Sequence, residues 1–252
     1  MTVALFVAGT GALDGAAPGS ELVLDGDEGR HACVVRRIRA GEVIDVADGR
    51  GLVARCRVDG AERDRLRLTV QEVTAAAARL PYLVLVQALA KGGRDEAAVE
   101  TATEYGVDAV IPWQAERCVV QWAGERGERS RRRWEATAVA AAKQSRRARV
   151  PAVQPALSTG ELAAGLAARQ RDGELILVLH EDAEQPLSSL ELPPRTTAVL
   201  LLVGPEGGVS QRELARLTSA GATAVRLGPE VLRASSAGPA ALAVLSLRLG
   251  RW

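Results

Sequence analysis

Leu200-Leu201-Leu202-Val203-Gly204-Pro205-Glu206-Gly207-Gly208-Val209-Ser210 is an apolar run that breaks into a glycine-rich turn. An unbroken apolar run bounded by Gly and Pro predicts a strand buried on both faces, the signature of a parallel sheet covered by helices. The turn then sits at a strand's carboxyl end, where open α/β sheets bind their ligands. Glycines at that edge leave the backbone open to close approach by a nucleotide-like molecule. Ser210-Gln211-Arg212-Glu213 follows with capping-box spacing, so a helix begins where the turn ends. The G-x-x-G-G spacing is neither the dinucleotide fingerprint nor a phosphate loop, and no lysine follows to meet a phosphate. A turn that binds nothing has the same pattern, and the rest of the chain must decide between the two.

The grammar of strand then helix extends outward from this stretch. Residues 82–89 read as a second buried strand, and 94–105 as a helix with a small-residue face, stopped by Gly106. A strand over 107–111 and an alanine-rich helix over 130–147 follow. Ser158 and Glu161 cap another helix, ahead of a buried strand over 174–179. The last strand covers 222–228, and a final helix opens at Ala234-Ser235-Ser236, with Pro239 expected in its first turn, where a missing N–H costs little. This alternation predicts an α/β fold with a mainly parallel sheet. Two of its strands, ending at Val203 and Leu227, each deliver a glycine-bearing loop.

Residues 1–73 follow a different rule, with short strands that alternate apolar and polar side chains and Asp48-Gly49-Arg50-Gly51 as a hairpin turn. A small β-barrel is the natural reading, and the alanine-rich 74–81 reads as a linker. Arg36, Arg37 and Arg39, just before the hairpin, suit either RNA phosphates or a solvated basic edge. A second basic region, with Arg132, Arg133, Arg146 and Arg147, surrounds Trp134. It either grips an RNA backbone, or turns its tryptophan inward and its arginines to water.

The 252 residues carry a formal net charge of +1, which fits neither a polyanion-coating protein nor an acidic one. Cys33, Cys56 and Cys118 lie far apart, with no C-x-x-C and no paired histidines, so neither a disulfide framework nor a metal site is expected. No basic n-region opens the chain and no stretch has the length of a membrane span, so an unexported, cytoplasmic protein without a membrane segment is expected.

Gln87-Ala88-Leu89-Ala90-Lys91, Thr103-Glu104-Tyr105-Gly106, Glu116-Arg117-Cys118, Gln144-Ser145-Arg146-Arg147, the turn 204–208, and Leu227-Gly228 through Leu232-Arg233 together resemble one family. It is that of the bacterial 16S ribosomal RNA uridine-N3 methyltransferases of the SPOUT class, and the likeness covers nearly the whole chain in the family's motif order. The resemblance implies a PUA-like β-barrel over 1–73 for RNA, a linker over 74–81, and a SPOUT α/β domain over 82–252 tied in a trefoil knot. It implies S-adenosylmethionine held by Val203, Gly204, Pro205, Glu206, Gly207 and Gly208, by Leu227, Gly228 and Leu232, and by Leu179 and His180 at the end of the preceding strand. It further implies a homodimer with the site near the subunit interface, and 16S rRNA or the 30S subunit as partner. That demand for RNA favours the polyanion reading of Arg36, Arg37, Arg132, Arg133, Arg146 and Arg147.

One departure stands out. The family usually has Leu-Arg-Thr-Glu-Thr-Ala where this chain reads Leu232-Arg233-Ala234-Ser235-Ser236-Ala237, so Ser235 replaces an acidic residue, although either serine is expected to cap the last helix. Methylating N3 of uridine requires removal of an imide proton and in-line presentation of the anion, with no metal or covalent intermediate. Arg233 is the candidate donor to that anion, and Glu206 the candidate base or a brace of the turn. Glu104 is a possible anchor for Arg117, and His180 reads as structural. An RNA-binding assembly factor that has lost catalysis, or a SPOUT enzyme acting on another RNA, remain as alternatives.

Overall fold

A computed structural model describes residues 3–252. The chain forms two compact units, Met1–Ala78 with Ala142–Val150, and Arg79–Ala141 with Pro151–Trp252.

The first unit contains β1 (Ala4–Val7), β2 (Glu21–Leu24), the short helix α1 (Gly26–Arg30), β3 (Val43–Ala47), β4 (Leu52–Glu62) and β5 (Arg65–Ala75). The strands line up as β1-β3-β4-β5-β2, with β1 parallel to β3 and the other pairs antiparallel. The alternation read in the sequence sorts each strand into two faces. Ala54, Cys56 and Val58 of β4 and Leu66, Leu68 and Val70 of β5 point into a core with Phe6 and Ile44, while Arg55 and Arg57 stay outside. Register shifts after Arg55 and Val58 bend the long hairpin around that core. The predicted turn between β3 and β4 forms because the Asp48 carboxylate accepts the N–H groups of Arg50, Gly51 and Leu52 at 2.7, 2.9 and 3.0 Å. Strand β5 continues through Thr74 and Ala75, which pair with Val53 and Leu52. Ala142–Val150 joins this unit through Lys143, whose Nζ lies 2.5 Å from the Glu28 carboxylate, and through the Val150 N–H, donated to Gly49.

The second unit is the predicted α/β layer structure. Its strands are β6 (Tyr82–Ala88), β7 (Ala109–Gln114), β8 (Ala152–Val153), β9 (Leu157–Ser158), β10 (Glu174–Leu179), β11 (Ala198–Val203) and β12 (Thr223–Val225). Its helices are α2 (Arg94–Glu104), α3 (Gly124–Gln144), α4 (Thr159–Arg171), α5 (Gln211–Ser219) and α6 (Ala234–Arg248). All its strand pairs are parallel, in the order β12-β10-β11-β6-β7-β8, with β9 beside β7. Every residue of β11 is buried, as an apolar run without alternation demands.

Helix ends show where local chemistry and sequence reading diverge. Helix α2 stops as expected at Gly106, in the left-handed region at φ +92°, with Val107 and Gly106 donating back to Ala102 and Thr103. Helix α3 begins six residues before the predicted 130 and ends three before 147, and the same motif closes it without a glycine. Arg146 takes φ +56°, and Arg147 and Arg146 donate to Ala142 and Lys143. Pro239 is the sixth residue of α6, one turn deeper than expected, so the Ser235 carbonyl loses its usual partner in the helix. Among the described residues, no helix is long and apolar enough to cross a membrane.

Candidate functional site

The ends of β10, β11 and β12 deliver three loops to one edge of the second unit's sheet. The glycine turn after β11 uses each glycine for a different reason. Gly208 has φ +71° and closes a turn by donating to the Pro205 carbonyl at 2.8 Å. A Cβ on Gly204 would fall 2.7 Å from Val209 Cγ2, and one on Gly207 would fall 3.2 Å from Arg117 Cβ. Arg117 also donates to the Gly207 carbonyl at 2.7 Å, so it anchors the turn itself instead of meeting Glu104.

The expected capping box starts α5, with Ser210 Oγ accepting the Glu213 N–H at 3.2 Å and Glu213 Oε2 accepting the Ser210 N–H at 3.3 Å. Glu213 is only 4 % exposed, and its other oxygen accepts the Glu116 N–H at 2.8 Å and the Thr159 hydroxyl at 2.5 Å. One carboxylate thus ties the exit of the glycine turn to the segment after β7 and the start of α4.

Between the glycine turn and the loop after β12 lies an open cleft of about 440 Å³. Leu179, His180, Val203, Gly204, Pro205, Glu206, Gly207, Gly208, Leu227, Gly228 and Leu232, all named from the sequence, line this one cleft together with Arg233. Arg233 is exposed, and its backbone carbonyl accepts the N–H groups of Ser236 and Ala237 at 2.8 and 2.9 Å. It is therefore the N-cap residue of α6, and no side chain caps this end. Ser235 and Ser236 lie inside the first turn instead of capping it, which corrects the sequence expectation. Ser235 is not among the residues that line the cleft.

The Glu206 carboxylate accepts from Arg94 at 2.8 Å. Partial burial pushes its carboxyl up, but its own backbone N–H, Arg94 and Lys91 outweigh this, leaving it below the ordinary glutamate value. A carboxylate so held is a weak proton acceptor and a good brace. His180 is 7 % exposed, and its Nδ1 accepts the Asp182 N–H at 3.2 Å. Sequence reasoning did not single out Glu181, Arg226 and Glu230 of the cleft wall. Their one signal was position, as charged residues within a few places of a buried strand's carboxyl end. The Glu181 carboxylate stands 4.0 Å from where a Gly208 Cβ would lie, and that of Glu230 is 3.7 Å from the same point on Gly228. Two carboxylates thus stand beside the bare glycine backbone of a cleft that Glu206, His180, Arg226 and Arg233 also line, a surface with acceptors for a ligand's hydroxyl or ammonium groups.

The basic residues named from the sequence are divided between the two units. Arg36, Arg37, Arg146 and Arg147 belong to the first unit, and Arg132 and Arg133 to the second. Arg36 and Arg37 are exposed beyond a π-helical turn over His31–Val35, and Arg37 sits at φ +54°. Arg132 and Arg133 are exposed on α3, and Arg133 pairs with Glu96 at 3.2 Å. Trp134 is 1 % exposed and packs edge-on to Trp122 at 5.1 Å between centroids, so it is core and cannot stack on a base. Trp113 is likewise buried, its Nε1 donating to Thr159 Oγ1 at 3.0 Å.

Comparison with known proteins places these features. Residues 78–246 match the family model of an RNA methyltransferase domain, and residues 24–71 that of an RNA methyltransferase PUA domain. The chain is 46 % identical to the ribosomal RNA small subunit methyltransferase E of Mycobacterium bovis, over 93 % of this chain and 89 % of that one. It is 31 % identical to the protein of that name from Bacillus subtilis, over 88 % of each chain. A crystal structure of a ribosomal RNA small subunit methyltransferase E from Neisseria gonorrhoeae, bound to S-adenosyl methionine, superposes with a TM-score of 0.86 at 26 % identity, covering 98 % of both chains.

Proposed function

Since the chain belongs to the family of ribosomal RNA small subunit methyltransferase E, we propose that it transfers the methyl group of S-adenosylmethionine to N3 of a uridine in 16S rRNA. The observation that carries this reading is the single cleft at the ends of β10, β11 and β12. Its volume suits a nucleoside-sized ligand. The bare turn 204–208 and the 227–232 loop admit a flat base, and Glu181 and Glu230 suit its hydroxyl and ammonium groups. S-adenosylmethionine, when bound, supplies an electrophilic methyl on a sulfonium.

The chain's own residues orient and stabilise. Arg233, at the rim and permanently charged, donates to the uracil anion that forms as the imide proton leaves. Glu206 braces the turn through Arg94, and its lowered pKa makes it a poor base. No carboxylate at position 235 is needed, because Ser235 does not line the cleft. Arg36, Arg37, Arg132, Arg133, Arg146 and Arg147 contribute to holding the RNA. Residues 1–73 serve as its binding domain and 82–252 as the catalytic domain, whose chain is tied in a trefoil knot; β5 takes up Thr74 and Ala75, so the linker between them is 76–81. The working form is a cytoplasmic homodimer. Val231 and Leu232, 79 % and 42 % exposed beside the cleft, are apolar surface that a second copy would cover.

Cofactor titration by calorimetry tests the site. A Cβ on Gly228 meets only Glu230 Oε2, at 3.7 Å, and no positive φ is needed there, so Gly228→Val fills the cleft without straining the fold. The variant is expected to melt like the parent and to lose S-adenosylmethionine binding. Undiminished binding would place the cofactor elsewhere.

A further inference from the structure

The segment between β6 and α2, Lys91-Gly92-Gly93, has no part in the cofactor cleft. Gly92 and Gly93 take φ +70° and +74°, and a Cβ on either would meet nothing within 4 Å, so two bare peptide units face open space. Arg126, Arg129 and Arg133 project from α3 at spacings of three and four residues, which puts them on one helix face. The two elements line a groove of about 630 Å³, whose lining also includes Trp122.

The charges in this groove do not cancel. Asp95 is buried and turned inward, accepting the N–H groups of Ala90 at 3.2 Å and Glu96 at 2.9 Å, and Glu96 is taken by Arg133. Arg129 has only a loose partner, Glu125 at 3.9 Å, both largely exposed. Among the described residues, Lys91 and Arg126 pair with no carboxylate. One ion pair links the segment that lines the groove to the glycine turn of the cofactor cleft. Arg94, the residue after Gly93, donates to Glu206 of the glycine turn at 2.8 Å, and the charge of Lys91 acts on the same carboxylate.

We propose that this groove holds the phosphodiester backbone of single-stranded RNA beside the nucleotide to be methylated. Lys91, Arg126 and Arg129 meet the phosphates, and the bare Gly92-Gly93 peptides allow the strand to approach the backbone. The proposal rests on the RNA-methyltransferase reading and names its substrate path. Chemistry requires an unpaired target: N3 of uridine lies in the base pair, so the nucleotide must sit in a single strand or be flipped out of a helix, and the proposal commits to the single strand. Cations spaced along a groove, beside a partly exposed aromatic, are how proteins track such a strand.

The test compares two doubly substituted full-length proteins that lose equal charge. R126A/R129A alters the groove, and R171A/R195A removes two exposed arginines elsewhere in the same unit. The probe is a fluorescein-labelled, uridine-containing single-stranded RNA of about a dozen nucleotides, a length within the usual single-strand site sizes. Its anisotropy is followed over a salt series. Two lost phosphate contacts at about 0.7 each predict a salt slope shallower by about 1.4 for R126A/R129A. Affinity falls about tenfold at moderate salt, while S-adenosylmethionine binding by calorimetry and the melting midpoint stay at parent values. R171A/R195A keeps the parent slope. A parent-like slope in R126A/R129A, or equal losses in both variants, overturns the proposal. A parent protein that binds cofactor but no RNA overturns the methyltransferase reading along with it.

Discussion

Two helices of this chain start with the same four-residue pattern, Ser158 to Glu161 at α4 and Ser210 to Glu213 at α5, and burial predicts very different consequences for losing the glutamate. Glu161 is exposed and serves only its own cap, so Glu161→Ala should cost about 0.5–1 kcal/mol, as an exposed cap does. Glu213→Ala removes a similar cap and also strands two groups held by the buried carboxylate. The Glu116 N–H loses its acceptor, and so does the Thr159 hydroxyl, whose oxygen already receives Trp113 Nε1. An orphaned buried donor such as the Thr159 hydroxyl costs about 1–3 kcal/mol, and the part-buried Glu116 N–H stands at the low end of that range. A cavity beside Glu213, lined also by Gly160 and Arg216, gives water a way in and holds the sum toward the low end, about 3–4 kcal/mol. At about 2–4 °C per kcal/mol for a chain of this size, Glu213→Ala should lower the melting midpoint by about 10 °C and Glu161→Ala by about 2 °C. Glu213→Gln, which keeps one acceptor but turns an amide toward the Ser210 N–H, should fall between them. Differential scanning calorimetry reads all three. Equal shifts for Glu161→Ala and Glu213→Ala would refute the reasoning, because burial would then not set the cost.

Arg233→Ala should lower turnover by about 10²–10³-fold, the range for losing one donor to a developing anion, with cofactor affinity nearly unchanged by calorimetry. The Glu206 carboxyl lies below its ordinary value in the folded chain, so the Arg94 bridge contributes fully above the unfolded value of about 4.3 and is lost as pH falls through the lower folded value. Cofactor affinity should thus be flat from neutral pH down to the ordinary glutamate value of about 4.3 and decline below it. In Glu206→Gln that acid limb should be absent. Burial pushes the Cys56 and Cys118 thiols up to about 11, and Cys33 is partly exposed. Mass spectrometry after alkylation at mildly alkaline pH should find Cys33 labelled, and the other two labelled only after unfolding.

What could be read from the sequence follows from how local each cause is. β11 and its turn were legible because burial on both faces, glycine and the Ser210–Glu213 spacing all act within a few residues. The two glycine-bearing loops could likewise be recognised one at a time, and the fold then brought them to one cleft. The end of α3 was not legible, because Arg146 takes a left-handed conformation that composition assigns to glycine. Nor was the inward turn of Trp134, since a helix with arginines on both sides of a tryptophan does not say which face meets the core. The Arg94–Glu206 bridge and the Arg117 anchor join residues far apart in the chain, at separations of 112 and 90, and no spacing rule reaches that far. The spacing from Ser210 predicts Glu213 as a cap, which it is. Its links to Glu116 and Thr159 depend on strands and helices meeting in space.

The central claim is most directly tested by methyl transfer from labelled S-adenosylmethionine to 30S subunits lacking the modification, followed by nucleoside analysis of the digested RNA. The account predicts label in 3-methyluridine from 16S rRNA, lost with Arg233→Ala. Label in another nucleoside, or no transfer by a protein that binds the cofactor, would contradict it.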